Sequence, residues 1–240
     1  FKGAPKFMMP SNLDFLLRYS VQEKNIKAQN IILKTLDKMA YGGIFDHVEG
    51  GFSRYSTDEK WHIPHFEKML YDNGQLMSLY SKGYKISNKR LYKKIVYKIH
   101  EYIHSEMKDN TGGFYSSLDA DSKINDSTYI EGAYYSWEFS ELQNLIEEDF
   151  ELFSDYFNIN EYGYWKEENK YVLINSLSDS EFISKHNLSE KAFDKKLSNW
   201  TNLLKEAKKN KKKPNLDYKI VTSWNGLMIS GYVEAYKAFN

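Results

Sequence analysis

The chain has 240 residues, 41% hydrophobic and 28% charged, with 33 basic and 33 acidic side chains and a formal net charge of zero. A neutral chain of this kind has no electrostatic drive toward nucleic acid or anionic lipid, so neither is an expected partner. Cysteine is absent, which rules out disulfides and thiol catalysis within this chain; no apolar run reaches membrane-spanning length, and the cytoplasm is the expected location.

In chain order, a helix is expected over Ser11 to Tyr19, with Ser11 as N-cap and Asp14 at N3. A second runs from Glu23 to Ala40, its stripe formed by Ile26, Ile31, Ile32, Leu36 and Met39, and Gly42-Gly43 ends it. The long loop from Ile44 to Pro64 is rich in Gly, aromatic and polar residues, the kind of connection that carries function. Helices are expected over Phe66 to Tyr84 and Asn88 to Met107, followed by a second glycine loop from Gly112-Gly113 to Tyr135. Trp137 to Tyr156 reads as one helix, Asn158 to Asn175 as a β-hairpin, and Ser178 to Lys185 and Ser189 to Lys209 as short helices. Lys213-Pro214 breaks the chain before a last helix, capped by Thr222 or Ser223 and carrying Leu227, Met228, Val233 and Tyr236. Helices thus come in pairs joined by glycine-aromatic loops, which suits a ring of helical hairpins around a pocket; a simple bundle is the alternative. Neither a βαβ alternation nor a strict short repeat is present.

Arginine occurs only at Arg18, Arg54 and Arg90 in a composition rich in Lys, Asn, Ile and Tyr. Arg54 therefore stands out as a forked partner for a carboxylate. It lies in the densest group of reactive side chains, with Tyr55, Trp61, His65, Glu67 and Asp72. On the expected helix Glu67 and Tyr71 share a face, and His65 sits at the start, where backbone dipoles disfavour its protonated form. Such a His can act as a base, or simply hydrogen-bond in the first turn. His47 is a second acid or base or a plain loop residue, and His62 is expected to be solvated. His100 and His104 read as helix-surface residues without a metal-site context. Asp119 and Asp121, two apart, suit glycosidic acid/base work, a calcium site or a turn cap. Glu131 precedes Tyr134, Tyr135 and Trp137, a grouping that suits a sugar, and Trp224 with Asn225 can floor a pocket. The lysines at 208, 209, 211, 212, 213 and 219 read as a solvated helix end.

Gly3-Ala4-Pro5-Lys6-Phe7, the block from Gly50 to Asp72 with Pro64-His65-Phe66-Glu67-Lys68-Met69-Leu70-Tyr71-Asp72, Asp119-Ala120-Asp121-Ser122 with Glu131-Gly132-Ala133-Tyr134-Tyr135, and Ser223-Trp224-Asn225-Gly226-Leu227-Met228 occur in order. Together they resemble the YyaL / spermatogenesis-associated protein 20 family over essentially the whole chain. The resemblance implies an all-α (α/α)6 toroid of the six-hairpin glycosidase-like kind, preceded in the full protein by a thioredoxin-like domain. It also implies that residues 1–240 are part of that toroid, an incomplete ring with a small β-hairpin insertion. Against the family pattern, Met8-Met9 stand before Pro10, Glu49 replaces an expected Gly, Ser53 an expected His and Tyr218 an expected acid.

The expected function is carbohydrate-active, epimerase/isomerase-like or glycosidase-like, on a small saccharide. His65 is the expected proton-transfer residue, Glu67 its partner, and Asp119 or Asp121 the second acid/base. Arg54, Asp72 and Glu131 are expected to bind substrate, with Tyr55, Trp61 and Trp224 as stacking surfaces and Asn225 in the pocket. No cofactor or metal is expected. The alternative is a non-catalytic sugar-binding or scaffold domain partnered with a thioredoxin-like domain. An incomplete ring would expose apolar flanks, so the chain alone is expected to associate.

Overall fold

The computed structural model describes residues 3–240. Its helices are α1 (Pro10–Gln22), α2 (Ile26–Tyr41), α3 (Leu70–Ser87), α4 (Arg90–Tyr102), α5 (Phe139–Ile146), α6 (Phe150–Phe157), α7 (Asp179–Lys185), α8 (Glu190–Lys208) and α9 (Thr222–Phe239). Short strands lie between them: β1 (Lys6–Phe7), β2 (Tyr55–Ser56), β3 (Pro64–His65), β4 (Lys68–Met69), β5 (Ser117–Leu118), β6 (Asp121–Lys123), β7 (Tyr129–Glu131), β8 (Tyr164–Trp165), β9 (Lys170–Tyr171) and β10 (Leu216–Asp217). The fold is all-α, built from helical hairpins as in an (α/α) toroid, with small antiparallel pairings confined to the loops. α1 packs on α2 and α3 on α4, while α3 is also flanked by α1 and α9. α3 and α9 approach to backbone contact: a Cβ at Gly231 would lie 2.6 Å from the Gly74 carbonyl oxygen.

Local chemistry sets the helix ends. Asn25 caps α2 by accepting from the Ala28 N–H at 3.0 Å, Ser178 and Glu181 form a capping box on α7, and Ser189 caps α8. α1 starts one residue before the expected Ser11 cap, with Pro10 at its first position, where a missing N–H costs nothing. The expected Trp137–Tyr156 helix is broken at Glu147, which takes a left-handed conformation (φ 53°) between α5 and a 3₁₀ turn leading into α6. The last residues expected in α4 form a separate π-helical turn, Ile103–Met107.

The largest correction concerns α3, which begins at Leu70 and not at Phe66. Residues 64 to 69 are extended because their backbone is used twice for pairing. Tyr55 faces His65 across β2–β3, and Lys68 faces Leu118 across β4–β5. The Arg54 N–H also donates to the Glu67 carbonyl at 2.8 Å. Glu67 and Tyr71 therefore share no helix face, and His65 does not sit at a helix start.

Two large apolar cores result, besides a small cluster of Phe66, Ala120 and Val172. One joins α1 to α4 and α9 around Leu36, Met39, Leu76, Met77 and Ile99; the other joins α5 to α8 around Phe153, Phe157, Phe182, Phe193 and Trp200. Each such fully buried aromatic or aliphatic side chain contributes roughly 1.5–3 kcal/mol. Between the cores lies a buried ionic cluster. Lys68, 1% exposed, donates to Asp46 Oδ2 and the Gly50 carbonyl, both at 2.8 Å. Lys208, 2% exposed, donates to Glu49 Oε2 at 2.7 Å and lies 3.6 Å from Asp46 Oδ2. The Tyr134 hydroxyl donates to Glu49 Oε1 at 2.9 Å, and both ammonium groups lie 4.8 Å from the centre of the Tyr135 ring. Two lysines expected on a solvated helix end thus turn inward: Lys208 is buried in this cluster, and Lys211 is half-buried with its ammonium 3.8 Å from the Trp137 ring centre. Their long stems carry the charge inward, where acids and aromatic faces receive it. Burial alone would raise the Asp46 pKa, but Lys208 and Lys68 outweigh it and hold the carboxyl well below its usual range.

Two outcomes are expected. Lys68→Met strands Asp46 and the Gly50 carbonyl and should lower unfolding free energy by about 3 kcal/mol in urea titrations at neutral pH. Because the folded Asp46 pKa is depressed, its stabilisation is complete above the unfolded carboxylate pKa near ~4 and is lost as pH falls toward the folded value, so the gap between variant and wild type should close on acidification. Separately, α9 leaves Ile229, Val233 and Tyr236 exposed at 60, 44 and 69%. Sedimentation velocity of the chain should show concentration-dependent association that the double substitution I229K/V233K abolishes.

Candidate active site

The loop from Ile44 to Pro64 folds back through β2 and β3, and the second glycine loop forms the β6–β7 ladder beside it. These two ladders bring together residues 66 positions apart. His65 Nδ1 lies 2.7 Å from Glu131 Oε1, and His65 Nε2 lies 3.9 Å from Glu67 Oε2. The Tyr55 ring stacks on the imidazole, centroids 4.9 Å apart and planes 16° from parallel. Arg54 donates to Glu67 Oε2 at 3.1 Å. One histidine thus stands between two carboxylates, with an aromatic face beneath it and a guanidinium behind one acid.

The group is open to solvent: the side chains of His65, Glu67, Glu131 and Arg54 are 27, 23, 42 and 43% exposed. Asp121 faces Glu131 directly across the β6–β7 ladder, a like-charge pairing that needs a nearby donor or cation. Partial burial, then Asp119 and Glu131, push the Asp121 pKa up, while His65 pulls it down. Gly132 makes the approach of Glu131 possible. It takes φ +72°, and a Cβ there would lie 2.4 Å from the Phe66 ring. Phe66 in turn stacks on Tyr135 at 5.5 Å, which fixes the backbone on either side of the site.

The sequence-derived candidates divide clearly. Arg54, Tyr55, His65, Glu67, Asp72, Asp121 and Glu131 converge. Asp119 is exposed beside them, its Oδ1 accepting from the Ala120 N–H at 2.8 Å, as in a turn cap. Trp224 reaches the group through Tyr71, edge to face at 4.9 Å. Asn225 acts as a clamp, accepting from the Phe114 N–H at 2.9 Å and donating to the Phe114 carbonyl at 3.0 Å. Trp61 is 4% exposed and belongs to the first core, so its ring is not a free stacking face. His47 is buried against Phe45 and Phe157, and burial pulls its pKa down to about 4. His62, expected to be solvated, is half-buried, with its Nε2 shielded from solvent. His100 and His104 lie on α4 and the π turn with rings 4.3 Å apart, facing Tyr232 of α9, and the described residues hold no group of three ligating side chains suited to a metal. Ser53 is buried, and Tyr218 is exposed against Tyr115.

The positions missed in the sequence are supports. Asn73 is fully buried; it accepts from the Phe52 N–H at 2.8 Å and donates to the Phe52 and Met69 carbonyls at 3.0 and 2.9 Å. It pins the site loop to α3. Its signal was its place directly after Asp72 in the most specific block. Glu49, where a glycine was expected, proves to be the acid that receives Lys208.

The site and fold define a helical-hairpin domain with a histidine–carboxylate centre on its loop face. The chain belongs to the spermatogenesis-associated protein 20 family. It is 38% identical over 261 residues to an uncharacterized Caenorhabditis elegans protein, covering 99% of this chain and 36% of that protein. It is 36% identical over 255 residues to human spermatogenesis-associated protein 20, covering 97% and 32%, and the mouse protein matches equally. The chain thus spans about a third of the length of these relatives. No family model matches. Among solved structures it is similar to a family 76 glycoside hydrolase from a bovine Bacteroides thetaiotaomicron strain, with TM-score 0.41, 11% identity and 92% of this chain against 41% of that one. It is also similar to a sugar epimerase from a ruminal bacterium, with TM-score 0.43, 11% identity, and coverage of 98% and 71%.

Asp72, in the first turn of α3, is 7% exposed, and its Oδ2 has no hydrogen-bond partner. Burial pushes its pKa up to about 7; Arg54 opposes this and Glu67 adds to it. At neutral pH a share of the population carries a neutral carboxyl able to donate a proton. Since the folded pKa lies above the unfolded one, the folded state holds the extra proton between about pH 4 and pH 7, and stability falls across that window. Asp72→Asn removes this dependence. Urea titrations should show the variant gaining on wild type from pH 4 to pH 7 by on the order of 3 kcal/mol, and holding that gain above it.

Proposed function

We propose that the His65 group is an acid–base centre acting on a small saccharide, in epimerase/isomerase or glycosidase fashion. The observation that carries this reading is the 2.7 Å contact of His65 Nδ1 with Glu131, which fixes the ring orientation and leaves Nε2 toward Glu67 at 3.9 Å. In the neutral ring, Glu131 holds the proton on Nδ1, so Nε2 is free to take a proton from substrate. Asp121, whose carboxyl pKa is pushed up by partial burial and its acidic neighbours, is the second group. Epimerisation needs two such groups at one carbon, and hydrolysis needs two carboxyl groups across a glycosidic bond. Tyr55 and Trp224 supply apolar faces for a sugar ring, and Arg54 with Asp72 supplies donors for its hydroxyls. In the full-length protein a thioredoxin-like domain is the proposed partner.

The openness of the group and the presence of Ser53 and Tyr218 at positions expected to hold a His and an acid favour a second reading, a non-catalytic saccharide-binding domain. A thermal-shift screen against monosaccharides, amino sugars and disaccharides, followed by turnover assays on each ligand found, separates the two. Catalysis requires His65→Ala to lower turnover by about 10²–10⁴ while the ligand still raises Tm. Ligand-induced shifts with no turnover by wild type would establish the binding domain, and a folded protein that no sugar shifts would overturn both.

A further inference from the structure

Along the same loop lies a cleft of about 660 Å³ between α2, the Glu59–His62 turn and the hairpin region at Glu161–Tyr162, none of whose lining residues belongs to the His65 group. Its size is that of a small-ligand pocket. Its lining inverts the charge of the His65 face. Lys6, Lys34, Lys38 and Lys60 line it against only two carboxylates, Glu59 and Glu161. Lys34 and Lys38 are four apart on one face of α2, and neither they nor Lys60 has a carboxylate partner among the described residues. Lys6 is fixed: its ammonium donates to the Glu59 carbonyl at 2.8 Å and lies 4.6 Å from the Trp61 ring centre.

Two further features distinguish the cleft from a solvated lysine face. Trp61 holds a left-handed backbone (φ 66°), a conformation that a bulky residue keeps only where its surroundings enforce it. His62, next to it, also lines the cleft, and its Nε2 is shielded from solvent and unpartnered. Burial also lowers its pKa, so the ring adds no positive charge of its own to the lining. Lysine ammonium groups act as point charges and suit a tetrahedral oxyanion; the planar fork that best reads a carboxylate is absent here.

We propose that this cleft is a second binding site, for a sugar-sized phosphate monoester whose phosphate is held by Lys34, Lys38 and Lys60 and whose polyol lies against the Trp61–His62 turn. The site is independent of the His65 centre.

Isothermal titration of the 240-residue chain with glucose 6-phosphate tests it. Binding at least tenfold tighter than that of glucose, weakening with added salt, is expected. The double substitution K34E/K38E should weaken it at least tenfold. Both side chains are exposed, and an unchanged circular dichroism spectrum and melting curve will verify the fold; K60E provides a second variant. Arg54→Ala and Glu131→Gln should leave this binding intact, so failure of the saccharide reading at His65 does not decide it. Equal affinity for glucose and its phosphate, or wild-type affinity in both lysine variants, would overturn the proposal. Equal affinity for inorganic phosphate would remove its polyol part. Loss of binding in the full-length protein would show that the cleft is closed by the rest of the chain, and would overturn it too.

Discussion

The pairing of Lys68 and Lys208 with Asp46 and Glu49 is the constraint on which the other features depend. Two ammonium groups and two carboxylates are taken out of water together, which is tolerable only because each finds an opposite charge, a carbonyl or an aromatic face. That requirement fixes three separate parts of the chain at once: the loop carrying Asp46 and Glu49, the strand carrying Lys68, and the end of α8. Lys68 can reach Asp46 only if residues 64 to 69 are extended, and the same extension places His65 on a ladder facing the second glycine loop.

The site is therefore a consequence of the scaffold at one remove. β3 and β4 follow each other directly, one pairing with β2 and the other with β5. His65 and Glu67 point from this extended run, while Lys68 and Met69 turn inward. Asn73 then ties the start of α3 to the loop at Phe52, and Phe66 packs under Gly132. The histidine, its two carboxylates and Asp72 are held against buried neighbours, with one face of the group open to solvent.

Charge is segregated about this loop although the chain is neutral overall. Carboxylates outnumber cations around His65, and ammonium groups outnumber carboxylates around His62, only three residues away. A neutral total thus says little about what either face attracts, and only the folded arrangement separates them.

Much was legible in the sequence. The extent of α2, the buried part of its stripe at Ile32, Leu36 and Met39, the hairpin at β8–β9 and the density of reactive residues between Arg54 and Asp72 are local signals, set by periodicity and turn chemistry within a few residues, although Ile26 and Ile31 of that stripe face solvent. The convergence of Arg54, His65, Glu67 and Glu131 was legible only as a set of candidates. Which of them meet depends on strand pairings two residues long, too short to leave a pattern in the sequence. The same limit hid the extended run before α3, where a helical reading of Phe66 to Tyr84 was overridden by long-range ladders. It hid Lys208 and Lys211, whose run looked solvated until tertiary packing supplied buried acids and an indole, and Trp61, an apparent stacking face that the core absorbs. Composition and short-range order determined that this chain is a set of helical hairpins with reactive loops. The tertiary structure decided which reactive residues face each other, because that rests on contacts between positions tens to more than a hundred residues apart.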